Sequence, residues 1–514
     1  MKTNILSLLA IVGLLSFAGC ASDDTANKQQ EQEEHVPEGL TAFCMKDGAT
    51  RTTADYDGSG INFYWTEGDR LWVNNGTLVQ DADNTISKLL VPNPAAPTGV
   101  KRTATAMFYF AGNFTAPSYP LRYTGKGNTA ANKVTIKAQQ TQTVPNDAAH
   151  IGEDGDFGVA TATKPIGGSK YYFTLDHKAS YVTFMPYTTQ RWAPNVVIQK
   201  IRIFTDNASD ALAGTFNLAD DGTLSNPAST SNSVELSLSN FPVPAAPAYA
   251  TNGATMVVKP GTYNNVSIEY TLYDPTTRIT GTVTKTYPSK TFTAGKNKKV
   301  TTNLQVTEYA QDLYYNWDAL KPYWYGHLKP DGSPDITNFW AWRYDALHRP
   351  GGGTTATNSA KDCPNANECL WYAMRGDPHW DNQTIWTSMS HLYKGGMWFK
   401  KKAKISGFNP SRFYDGYDYR AEGDATTIEN RNIKHGKPGN PNDYFYLPAM
   451  GKYYEDWLDW ICEYGLYWTS TPRKLNPWDA WGVYDLYFGG DNISGFVSVQ
   501  WDSHNHGYVV WTGQ

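Results

Sequence analysis

The sequence predicts a mainly β protein of several domains, and three observations carry that prediction. At 514 residues the chain is too long for one hydrophobic core, since domains usually hold roughly 100–200 residues. Short alternating runs rich in Thr, Val and aromatic residues recur between Gly, Pro, Asn and Asp, as strands separated by turns do, and long amphipathic helical patterns are absent before residue 306. Composition agrees: 40% hydrophobic and 18% charged residues with 44 Gly and 34 Tyr describe a folded, loop-rich chain, neither disordered nor coiled coil. The formal charge of −5 leaves no basic excess to hold a phosphate backbone, so nucleic acid is not expected as a partner.

Along the chain, Lys2 precedes an apolar run over residues 5–18, too short for a stable spanning helix and of the right length for a signal-peptide core. Phe17-Ala18-Gly19-Cys20 resembles a bacterial lipobox, with Phe17 where Leu is usual, which implies removal of residues 1–19 and lipidation of Cys20. Residues 21–34 are polar and acidic and read as a solvated tether, similar to the surface-export signal of Bacteroidetes lipoproteins. Four further cysteines, Cys44, Cys363, Cys369 and Cys462, would meet an oxidising compartment. Cys363 and Cys369, six residues apart, suit a loop disulfide better than a metal site, and the partner choice among Cys363, Cys369 and Cys462 stays open.

Tryptophan divides the remainder of the chain. Only Trp65, Trp72 and Trp192 precede residue 306, and the other fifteen lie beyond it, so two kinds of core are expected. Before the break, Val134-Thr135-Ile136-Lys137, Tyr181-Val182-Thr183-Phe184 and Val266-Ser267-Ile268-Glu269-Tyr270 are among the expected strands of a β-sandwich. Beyond it, the segment from Asp362 to Tyr372 reads as a helix starting near Pro364 or Asn365. Segments around Met397, Phe445, Tyr467, Tyr484 and Val509 read as short strands.

Thr50-Arg51-Thr52-Thr53, Trp65-Thr66-Glu67-Gly68-Asp69 and Leu212-Ala213-Gly214-Thr215-Phe216 come in the order found in Bacteroidetes fimbrillin-like proteins, which residues 40–306 resemble. The resemblance implies two tandem transthyretin-like β-sandwiches, 52–166 and 167–306, behind a lipidated tether and propeptide, 20–51. It also implies cleavage after Arg51, which removes an N-terminal strand and opens a groove for a strand of another subunit. His177 is expected to be a hydrogen-bonded structural residue.

After a linker at 307–340, residues 341–514 resemble the Fibrobacter-type major paralogous domain, similar to a C-type-lectin-like α+β fold, through the Phe445-Tyr446-Leu447-Pro448-Ala449 and Tyr467-Trp468-Thr469-Ser470-Thr471-Pro472 elements. Shape alone does not assign a ligand. Aromatic density argues for recognition, with Trp380, Trp386 and Trp478 expected on loops that touch ligand and Trp468 in the core. Trp457, Trp460 and Ile461, at helical spacing, are expected to form a packed face. His504 and His506 are a weak metal-ligand pair, and neither a catalytic acid pair nor a nucleophile motif is singled out.

The expectation is therefore a non-enzymatic subunit without cofactor. It is a surface-exposed lipoprotein of the outer membrane that joins other fimbrial subunits in a pilus, at its tip, and binds a host or bacterial glycan or protein through its tail. The alternatives are a glycan-binding lipoprotein that never polymerises and, less favoured, a surface hydrolase or oxidase.

Overall fold

The computed structural model describes residues 36–45, 53–94, 99–330, 332–352, 354–421, 427–473, 482–490 and 495–514. Strands dominate, as alternation predicts. In Val197–Thr205 the residues Ile198, Ile201 and Ile203 all point inward, although the first two are three positions apart. A bulge between Ile198 and Lys200 absorbs the odd residue and keeps Ile198 on the core face.

The first core lies on a nine-stranded sheet, where Leu40–Met45 sits between Met107–Ala111 and Tyr171–Phe173. Phe43, Trp65, Leu71, Phe108, Phe110, Tyr171 and Phe173 fill it. A second and larger core gathers Val182, Phe184, Ile201, Ile203, Val234, Val266 and Ile268 from three- and five-stranded sheets. The expected division near Gly167 needs correcting. Lys133–Ile136 pairs with Ala213–Leu218, and Gln139–Gln142 runs parallel to Ser233–Pro242, so Val134 and Ile136 belong to the second core. Tyr171 and Phe173, beyond Gly167, return to the first. Hydrogen-bonding partners, chosen across long sequence separations, set these memberships.

Two aromatic cores complete the molecule's interior. The larger packs Tyr314, Tyr323, Trp324, Trp371, Tyr372, Trp386, Phe399 and Phe488, and a satellite holds Trp317, Trp468 and Tyr508. Residues 307–340 are structured, contrary to the linker expectation. Thr307–Glu308 pairs parallel with Trp386 and Thr387, Tyr314–Tyr315 pairs with Tyr508 and Val509, and Trp317 is 1% exposed. The helix Ala366–Arg375 forms as expected. The Asn365 side chain accepts from Glu368 N at 3.1 Å while Glu368 Oε2 accepts from Asn365 N at 2.9 Å, a reciprocal cap that satisfies two end donors.

The tail abuts the second core closely. Leu392 is buried within that core, and the fully buried Asp274 carboxylate accepts from Leu392 N at 3.0 Å and pairs with His391 Nδ1 at 2.9 Å. Among the described residues no helix is long and apolar enough to cross a membrane.

Candidate functional site

The Leu40–Met45 strand is built to occupy a slot. Its alternation sends Phe43 and Met45 into the first core and turns Ala42 and Cys44 to the opposite face, against Tyr109. Phe43 lies parallel to the Tyr171 ring, 4.6 Å between centroids with 10° between planes, and meets Phe110 and Phe114 edge-on at 4.9 and 5.3 Å. Met45 Sδ accepts from Trp65 Nε1 at 3.1 Å. The strand is paired on both sides: Phe43 is in register with Tyr171 on one neighbour and with Phe108 on the other. Lifting the strand away would expose two sheet edges and an aromatic trough at once. Arg51 and Cys20 both lie outside the described residues.

The expected ligand contacts are placed differently. Trp380 and Trp386 are strand residues of His379–Ser388, 6% and 0% exposed, and not loop residues. Trp386 stacks on Tyr393 at 4.9 Å and donates its indole N–H to Gly395 O at 3.0 Å. The pairing is irregular between Asp381 and Ile385, so simple alternation does not link the two rings; Trp380 pairs with Met397 and Trp386 with Tyr393, and all four lie in the larger aromatic core. Trp478 lies outside the described residues. Trp468 is buried, as expected.

The aromatics that do face solvent include Trp457 at 68% and Trp340 at 65%, with Trp460, Tyr454, Tyr344 and Tyr325 also exposed. The packed helical face expected at Trp457 and Trp460 is instead a hairpin, in which Tyr454 pairs with Trp457 and Glu455 adopts φ 55°. A left-handed residue reverses the chain before a helical turn can close. The Lys452 ammonium lies 4.7 Å from the Trp460 ring centre.

No cysteine pairing forms among the described residues: Cys363, Cys369 and Cys462 are free thiols, which corrects the disulfide expectation. Cys363 packs into the satellite core and Cys369 into the larger one. Burial pushes the Cys363 thiol up to about 12 and the Cys369 thiol well above its ordinary value.

His177 is buried and hydrogen-bonded, as expected. Its Nδ1 lies 2.9 Å from Asp156 Oδ1, which also accepts from the Tyr181 hydroxyl, and Phe63 stacks on the imidazole at 4.0 Å. His506 Nδ1 contacts Asp502 at 3.2 Å. Burial would raise Asp502, but hydrogen bonds from His506 and Tyr508 outweigh it and hold the carboxyl below the usual range. No group of three metal-ligating side chains occurs among the described residues.

A cavity of about 680 Å³ opens where Glu308 to Asp312, Pro322 to Gly326 and Pro334 meet Arg191 and the Met389-Ser390 turn. Tyr323, Trp324 and Tyr453 form its aromatic wall, and Arg191, Glu308 and Asp312 supply charge.

No protein-family model matches the chain, and no curated protein matches it. Solved structures similar to it include a candidate cell adhesion protein from Bacteroides uniformis, at 14% identity, TM-score 0.29, covering 52% of this chain and 95% of that one. A fimbrial protein from Bacteroides ovatus aligns at 11% identity and TM-score 0.23 over 54% of this chain and 52% of its own. A fimbrial anchor protein from Porphyromonas gingivalis aligns at 11% identity and TM-score 0.21 over 48% of this chain and 82% of its own.

Proposed function

We propose that this chain is a fimbrial subunit and adhesin, lipidated at Cys20, carried on the outer membrane and cut after Arg51. In this reading Leu40–Met45 keeps the place of a strand donated by a neighbouring subunit, and the C-terminal, lectin-like part recognises a glycan or protein ligand. The single observation that carries it is a short strand, hydrogen-bonded on both edges in mid-sheet, that ends six residues before Arg51. Strand removal leaves unpaired backbone groups and bare aromatic rings, and an incoming strand of alternating pattern satisfies both.

The other end of the second core supports a place at the tip. Its last strand, Asn297–Asn303, is paired with Ser180–Tyr187, and the chain runs on into the tail sheet at Thr307. Such a subunit accepts a strand but has none free to donate.

Arg51→Ala tests the assembly step. The variant should stay monomeric on cells where the wild type joins a pilus, and mass spectrometry of the surface-exposed wild type should find no peptide crossing Arg51-Thr52. Normal incorporation of the variant, or an intact bond in the wild type, would favour the non-polymerising glycan-binding lipoprotein.

A further inference from the structure

The cavity beside Arg191 is assembled from two separately built walls. One belongs to the second core: the Gln190 amide donates to Val306 O at 2.7 Å and accepts from Val306 N at 2.9 Å, fixing the backbone next to Arg191. The other belongs to the tail, where Met389 and Ser390 connect two long strands with φ values of 50° and 63°. Two-residue hairpin turns of this hand ordinarily take Asn and Gly, so a Met and a Ser are a strained choice. Asn195 Nδ2 donates to Ser390 O at 2.8 Å and clamps the turn to the first wall, while Met389 lines the cavity.

The lining selects a ligand class. Tyr325, 48% exposed at the mouth, offers a ring to a ligand, while Tyr323, parallel to Tyr453 at 5.4 Å, and Trp324, edge-on to Tyr453 at 5.5 Å, are buried and brace the wall behind it. Aromatic faces stack on the apolar CH faces of sugar rings. Around them stand donors on Arg191 and Gln311 and acceptors on Glu308 and Asp312, groups that match neighbouring hydroxyls. A purely apolar ligand would strip water from that charged rim without replacing its hydrogen bonds. The Glu308 and Asp312 carboxylates stand against the Arg191 guanidinium and the Lys321 ammonium, 4.6 Å from the Tyr325 ring centre, so the rim holds no excess of positive charge for an anionic sugar. The volume falls within the range of roughly 300–1,000 Å³ usual for small-ligand sites.

We propose that this cavity binds an uncharged oligosaccharide, held between the tail's aromatic wall and Arg191 of the preceding β unit. The inference rests on the reading of the chain as an adhesin and gives that reading a place and a ligand class.

The test is a glycan array of neutral, sialylated and sulfated oligosaccharides, probed with the full mature chain carrying Cys20→Ser. Neutral glycans should bind. Tyr325→Ala and Arg191→Ala, both at exposed positions, should each weaken that binding at least tenfold with the melting temperature unchanged, and Trp457→Ala, outside the lining although on the hairpin that carries Tyr453, should leave it intact. The inference is overturned by exclusive binding of sialylated or sulfated glycans, by no glycan binding, or by loss in Trp457→Ala with the cavity variants unaffected. Pilus incorporation, scored separately with Arg51→Ala, keeps the two readings distinguishable. Incorporation without glycan binding defeats this inference alone, and glycan binding by a chain never cut at Arg51 defeats assembly alone.

Discussion

Phe43 lies flat against Tyr171, 4.6 Å between ring centres, although 128 positions separate them in the chain. The stack joins a six-residue N-terminal strand to a sheet whose other members come from residues 72 to 177. It makes the strand an integral part of the first core.

Phe43→Ala should lower stability by about 3–5 kcal/mol, the usual cost of deleting a buried ring that cannot be fully backfilled. Thermal unfolding of the uncut chain measures it, and a change below about 1 kcal/mol would mean that the slot does not depend on this ring.

Asp274→Ala should loosen the tail from the second core, because Leu392 N loses its acceptor in a buried setting, a loss worth about 1–3 kcal/mol. Calorimetry should then resolve two unfolding transitions where the wild type shows more closely coupled ones. Unchanged transitions would place the coupling elsewhere.

Asp485 gives a pH dependence of defined sign. Burial first, and the Asp502 charge second, push its carboxyl well above the ordinary range, with the Lys452 charge offsetting only part. A raised folded pKa favours the folded state most below the unfolded value, about 3.9, and that contribution is lost as pH rises toward the folded one. Asp485→Asn should therefore gain melting temperature over the wild type as pH climbs from about 4 to 8, and a gap that shrinks over that window would contradict the assignment.

Trp386→Ala should cost about 3–5 kcal/mol and Trp457→Ala less than about 0.5 kcal/mol, since the first ring is fully buried and the second largely solvated. Paired denaturant titrations decide the order.

Iodoacetamide should leave Cys363 and Cys369 unmodified in the native chain and label both after unfolding without reductant, because burial keeps both thiols protonated. A bridged peptide in a non-reducing digest would overturn the free-thiol arrangement.

Much of the local structure is legible in the sequence. The strands at Val197–Thr205 and Tyr464–Pro472 and the helix capped by Asn365 and Glu368 follow from alternation and end chemistry that involve only a few neighbouring residues. The concentration of tryptophan beyond residue 306 likewise signals aromatic cores. The strand slot is expected only through the family resemblance, since nothing in the six residues from Leu40 to Met45 reveals that they are paired on both sides.

Residue type and spacing thus determined, from the sequence alone, the mainly β character, the positions of several strands and the reciprocally capped helix. Tertiary structure decided which strands pair, and therefore that Val134 and Ile136 join the second core while Tyr171 returns to the first. It also decided that Trp386 is buried and Trp457 exposed, that the thiols stay unpaired, and that Arg191, Tyr323 and Trp324 line one cavity. The physical reason is range: propensity and capping act over a few residues, whereas burial and strand pairing depend on groups a hundred or more positions away.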